Sequence, residues 1–204
     1  MKLKLQEFKE LDDYPSGSGL EYFNEKLYIV GDDAKDILVL DKNWKKETSI
    51  PLFDSAELRI PKKIKADLEA STVIEINKTP RLLLLGSGST LNPNRAILVN
   101  LDDHLKEEMD ITDFYNQIKD DLEHVNIESS AVILGKLLMG NRGNLTSPEN
   151  IIIVTDMDFW KHPEKAEWSK VVFDLPKTDN KVLGLSGMTY SHKNDWLICT
   201  LSTE

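Results

Sequence analysis

Four side chains able to do chemistry recur at one position of a repeated pattern: Ser18, Glu69, Glu128 and Ser186. Each stands just before a small residue (Gly19, Ala70, Ser129 or Gly187) that opens an apolar run, a tight turn and a second apolar run. The second runs end in Asp32 and Asp33, in Ser87 and Ser89, in Asn141, Arg142 and Asn144, and in Ser202 and Glu204. If each pair of runs is an antiparallel pair of strands, the start of the first lies beside the end of the second. All these groups then gather at one mouth of the molecule. Glu69, Glu128, Asp32 and Asp33 would offer the hard oxygen ligands of which calcium takes about six to eight. The two glutamates could equally form a carboxylate pair for acid–base work. The plain alternative is that these groups satisfy backbone amides at strand ends, as buried polar groups must.

A second feature is basic. Arg59, Lys62, Lys63 and Lys65 crowd together in "RIPKKIKADLE", in a chain whose formal net charge is −10. With Arg142 as a bidentate partner, Lys63 and Lys65 would make an anion-binding lip for phosphate or carboxylate. Ser18, Asn141 and Ser186 would complete that ligand site. A solvated loop whose lysines neutralise neighbouring carboxylates is the competing reading.

The elements that position these groups follow from the repeat. After the first three pairs of runs comes a third strand candidate: "ILVLD" (37–41), "AILVNL" (96–101) and "NIIIVTD" (150–156), all rich in branched residues that suit a pleated sheet. A fourth, more polar strand follows as "KKETSIPL" and "WSKVVFDLP", and less clearly near Lys106 to Ile111. Strands that grow more polar from first to fourth fit a buried centre and a solvated edge. The expected fold is therefore all-β: a β-propeller of four-stranded antiparallel blades, with about four repeats and the last incomplete. A β-sandwich also uses many short strands, but a fourfold repeated unit favours the propeller. One segment is helical: "DITDFYNQIKDDLEHV" spaces Phe114, Ile118 and Leu122 four apart, predicting a helix near 112–125 capped by Thr112 or Asp110 and packed on the blades.

Composition bounds the function. The acidic balance argues against nucleic acid and anionic membrane as partners. No apolar stretch approaches the roughly 20 residues of a membrane helix, and "MKLKLQEFKEL" lacks the core of a signal peptide. Cys199 is the single cysteine, so a cytoplasmic home is expected; in an apolar strand it reads as a small core residue. Trp44, Trp160, Trp168 and Trp196 are expected to pack between blades. "GLSGM" lacks the last glycine of a nucleophile elbow. "GSGST" lacks the lysine of a phosphate loop. The four histidines show no ligand spacing for zinc.

The stretches "PSGSGLEYFNEKLYIVGDD", "RIPKKIKADLEAS", "LLLLGSGS", "TDFYNQIKDD", "NIESSAV", "LLMGNRGN" and "ICTLSTE" span nearly the whole chain. With them the sequence resembles a family of uncharacterised bacterial β-propeller proteins, whose repeats are similar to those of esterase-like and phytase-like propellers. The resemblance implies a fold and no settled activity. It also implies that relatives continue past the equivalent of Glu204, so that 1–204 would be one propeller domain forming part of a longer ring. Lys2–Leu11 would then be the outermost strand of the last blade, and the fourth blade would be partly filled with an exposed edge. Three functions are carried forward: binding of a small-molecule, peptide or anionic ligand at the channel mouth, a calcium-dependent hydrolase of a phosphoester, ester or lactone, and a protein-interaction scaffold.

Overall fold

The hairpins at the heart of the molecule are set by their turns. Asn24–Glu25, Asn77–Lys78 and Leu134–Gly135 all take positive φ at both central positions, the backbone of the two-residue turn whose twist matches that of the flanking strands. Each joins the first two strands of its repeat. The computed structural model describes residues 4–90, 94–175 and 181–203. Among them are four antiparallel sheets in which sequential strands are spatial neighbours.

The first blade is β1 (Gly17–Phe23), β2 (Lys26–Gly31), β3 (Asp36–Asp41) and β4 (Lys46–Pro51). The second is β5 (Leu68–Ile76), β6 (Thr79–Gly86), β7 (Arg95–Asn100) and β8 (Lys106–Asp110). The third is β9 (Ile127–Ile133), β10 (Lys136–Asn141), β11 (Asn150–Asp156) and β12 (Trp168–Phe173). The fourth sheet has two strands among the described residues, β13 (Leu183–Ser191) and β14 (Trp196–Thr203). The innermost strands adjoin in the order β1, β5, β9, β13, so the blades fan out around one centre. This is the propeller-like arrangement expected of the repeat. No helix among the described residues is long and apolar enough to cross a membrane.

The core lies between blades, as it must when both faces of each middle strand are apolar. Val30, Ile37 and Val39 of the first blade meet Leu82, Leu84, Ile97 and Val99 of the second. Leu83, Leu85 and Leu98 meet Leu137, Met139 and Ile153 of the third. Ala131 and Ile152 meet Leu185 and Met188 of the fourth. The third and fourth blades approach closely because Gly140 carries no side chain: a Cβ there would lie 2.2 Å from Ser129 Oγ and 2.4 Å from Leu185 Cδ2.

The helix α1 (Thr112–Asp121) is shorter than expected and joins the core between the second and third blades. Phe114, Tyr115 and Ile118 are fully buried there, and the Tyr115 hydroxyl donates to the Gly86 carbonyl at 2.7 Å. Neither expected residue caps it. Ile111 holds the cap position without a side-chain bond. Asp110 instead accepts from the Thr112 amide at 2.9 Å, and the Thr112 hydroxyl accepts from Asn94 N–H at 3.2 Å.

The N-terminal segment also differs from expectation. Residues 4–11 form no strand, and residues 2–3 lie outside the described residues. Leu11 and Tyr14 instead cover the free face of the first blade, against Leu27, Ile29, Leu38 and Leu40. The physical reason is a tether: the Tyr14 hydroxyl reaches the carbonyl oxygens of Ile29 and Asp36, each at 2.8 Å. Trp160 is buried and Trp168 partly buried between blades, and Trp44 packs beside Leu11. Trp196 instead lies exposed on β14, and Cys199 on the same strand is half-buried, at the edge of the core between the third and fourth blades.

Candidate functional site

In each of the four innermost strands the hydrogen-bond ladder skips one residue. Gly17 and Gly19 pair with β2, passing over Ser18; Leu68 and Ala70 pair with β6, passing over Glu69. Ile127 and Ser129 pair with β10, passing over Glu128; Leu185 and Gly187 pair with β14, passing over Ser186. The four residues of the repeated position are therefore four β-bulges, a device that releases a residue from the ladder and re-aims its side chain. All four line one central cavity of about 550 Å³.

The cavity is amphipathic. Glu21, Glu69 and Glu128 bring carboxylates, Ser71, Ser129, Ser130 and Thr200 bring hydroxyls, and Leu20, Met188 and Ile198 bring apolar surface. Burial and, after it, the Glu128 carboxylate push Glu69 up to about 8; the Ser18 hydroxyl eases it only partly. Burial likewise pushes Glu21 up to about 8, against hydrogen bonds from Ser71 and the Val73 backbone. Both carboxyls thus hold a proton near neutrality, because burial penalises their charged forms. Ser129 and Ser130 are almost fully buried, at 2% and 1% exposure, and their hydroxyls bond to nothing among the described residues.

Next to the cavity is a compact ionic group. Lys65 bridges Asp32 and Asp67, reaching Asp67 Oδ1 at 2.6 Å. Ser87 donates to Asp67 Oδ2 at 2.5 Å and Ser89 to the same oxygen at 3.4 Å. Burial opposes the Asp67 charge, yet Lys65 and Ser87 outweigh it and hold the carboxyl below its usual range. Burial also opposes the Lys65 charge, and Asp32 and Asp67 together override it, raising the ammonium well above the ordinary lysine range. Asp32, Asp67 and Glu69 can each bring an oxygen within 4.8 Å of the others.

The residues named from the sequence therefore divide. Ser18, Ser186, Glu69 and Glu128 share the cavity. Asp32 joins Lys65, whereas Asp33 turns away to Arg59 at 2.9 Å. Arg142 is bonded to Glu128 at 3.3 Å, and Asn126 donates to the same Glu128 oxygen at 2.7 Å. Asn141 is buried and structural: its side chain accepts from Asn126 N–H at 2.6 Å and donates to the His124 carbonyl at 3.1 Å. Lys63 stands exposed on the loop before β5. Glu204 lies outside the described residues.

Glu21, Ser71, Ser129 and Ser130 are site residues that the repeat does not flag. Their signal was weak because each lies one to three residues beyond the repeated position, where the pattern reads simply as strand. Only the neighbouring blade turns them into a wall. Ser71 of the second blade shows this, sitting 2.7 Å from where a Cβ on Gly19 of the first would be.

No curated protein matches the chain. A family model covers residues 13–204, the region that contains all four blades and every residue of the central cavity except Leu11. The chain belongs to the family of unknown function DUF6929.

Proposed function

We propose that the protein is a binding propeller that takes a small ligand in its central cavity. The observation that carries this reading is the fourfold bulge, which aims Ser18, Glu69, Glu128 and Ser186 into one space. A volume of about 550 Å³ suits a small organic molecule. An anionic ligand has less support than a polar or cationic one, since Lys65 and Arg142 are already engaged by carboxylates. The lone half-buried cysteine accords with a cytoplasmic setting. The test is a thermal-melting screen of polar metabolite-sized compounds against the protein and its Ser186→Trp variant, which fills the cavity. A compound that stabilises the first and not the second supports the reading. Stabilisation that persists in the variant overturns it.

Calcium is the second reading, favoured by the approach of Asp32, Asp67 and Glu69 and by an Asp32 oxygen, Oδ1, buried without a partner among the described residues. The donors suit a hard cation. Lys65 would have to withdraw from between the two aspartates first. Asp33 and Glu128 would not contribute while Arg59 and Arg142 hold them. A melting temperature unchanged between calcium chloride and EDTA would remove this reading and the calcium-dependent hydrolase with it.

A further inference from the structure

We propose that the ligand of the central cavity is an organic cation: an ammonium or amidinium group on an apolar body. This rests on the reading of the cavity as a binding site and names the chemistry it would take.

Charge decides the sign of the ligand. Glu21, Glu69 and Glu128 line the cavity, and among the described residues no lysine or arginine does. Glu128 has Arg142 as a partner from outside the lining, whereas Glu21 faces the Ser71 hydroxyl at 3.4 Å and Glu69 faces Ser18, Glu128, Asp32 and Asp67. A cation seated between them would be the counter-charge of their ionised forms.

The hydroxyls point the same way. Ser129 and Ser130 are more than nine-tenths buried, line the cavity and have no hydrogen-bond partner among the described residues. Buried polar groups are seldom left unpaired without a role. Each offers acceptor lone pairs to the several N–H donors of an ammonium or amidinium.

The rest of the wall argues against a bare metal ion. Leu20, Ile29, Trp44, Met188 and Ile198 share the same cavity, giving it an apolar side that an ion with its hydration shell does not use. An apolar body joined to a charged head matches both halves. Because burial holds Glu21 at about 8, a cation beside it ionises it and drives off a proton at neutral pH.

The experiment uses the full chain at pH 7 with 2-phenylethylammonium and benzamidinium as probes. The neutral isostere 2-phenylethanol, the anion phenylacetate, a polyol (sorbitol) and calcium chloride serve as comparisons. Melting temperature and titration calorimetry in two buffers of different ionisation enthalpy are the readouts. The expected result is saturable binding of at least one cation, with proton release and at least about tenfold weaker binding of phenylethanol. The double variant E69Q/E128Q should lose about tenfold or more in affinity, as when a desolvated charge partner is removed. Should that variant fold poorly, Ser186→Trp keeps every carboxylate and must still abolish binding. Equal binding of phenylethanol, or preference for phenylacetate, sorbitol or calcium, overturns the cationic ligand while leaving a ligand-binding cavity. Cation binding undiminished in the variants overturns the site, and no binding by any probe overturns both readings.

Discussion

Glu69 and Glu128 occupy the same bulged position on the adjacent inner strands β5 and β9, and the charge of the second helps hold the proton of the first. Their surroundings separate them. Glu128 is met by Arg142 and Asn126, while Glu69 meets other carboxylates and one hydroxyl. Two equivalent glutamates in one cavity are thereby given unequal tasks, one acidic and one fixed in an ion pair.

This asymmetry sets a pH dependence. Glu69 and Glu21 both lie at about 8 in the fold against an ordinary 4.5, so the folded chain binds more protons than the unfolded one between those values. Their contribution to stability is therefore full below pH 4.5 and is lost as pH rises through 8. Glu69→Gln should flatten the decline and raise stability at pH 8.5 by about 2–4 kcal/mol. Urea denaturation of both proteins at pH 5 and pH 8.5 measures it; parallel slopes would refute the assignment.

Lys65 is the hinge of the neighbouring ionic group, with 11% of its side chain exposed between Asp32 and Asp67. Lys65→Met should leave two carboxylates without their cation and cost about 3–5 kcal/mol. Adding Asp67→Asn should restore part of that loss. Asp67 itself, held below its usual range, contributes stability above pH 3.8 that is lost on acidification through its lowered value. Denaturant midpoints of the single and double variants check the coupling.

Gly140 lets the third and fourth blades close on each other. A methyl group there would meet Ser129 Oγ at 2.2 Å and Leu185 Cδ2 at 2.4 Å. Gly140→Ala should destabilise by about 1–3 kcal/mol through overpacking. It should also raise amide exchange in β13 and β14 before the other blades. Hydrogen exchange resolved by segment is the measurement.

Leu134 is 94% exposed and sits at φ 50° in the turn between β9 and β10. A left-handed backbone costs a residue with a Cβ about 1–2 kcal/mol, and this leucine buries nothing in return. Leu134→Asn makes the Asn-Gly pair that such turns favour and should stabilise by about 1 kcal/mol. A fall in melting temperature would contradict the turn geometry.

Much of this molecule was legible as pattern. The branched runs at 37–41, 96–101 and 150–156 became β3, β7 and β11, and the polar runs became outer strands. Even the weak run near Lys106 is a strand, because β7 offers it a paired edge. The alignment of Ser18, Glu69, Glu128 and Ser186 also reads directly from the repeat, since each precedes the small residue at which the ladder resumes. The helix ends and the course of residues 4–11 were not legible. Helix ends turn on single capping bonds, and the tether of Tyr14 to Ile29 and Asp36 spans segments distant in the chain.

The sequence by itself determined the local alphabet: which runs extend, where they turn, and which four residues share a place in the unit. Alternation and turn residues act over a few neighbours, so one chain suffices to read them. Only the tertiary structure decided who faces whom. Lys65 could have reached into solvent beside Lys63; it turns to Asp32 and Asp67 because blade packing buries those carboxylates within its reach. Arg142 was free to meet a ligand and instead meets Glu128. Glu21, Ser129 and Ser130 become cavity wall because adjacent inner strands pack side by side around one space. Charge pairing and desolvation depend on distance in space, and that distance exists only once the blades have packed.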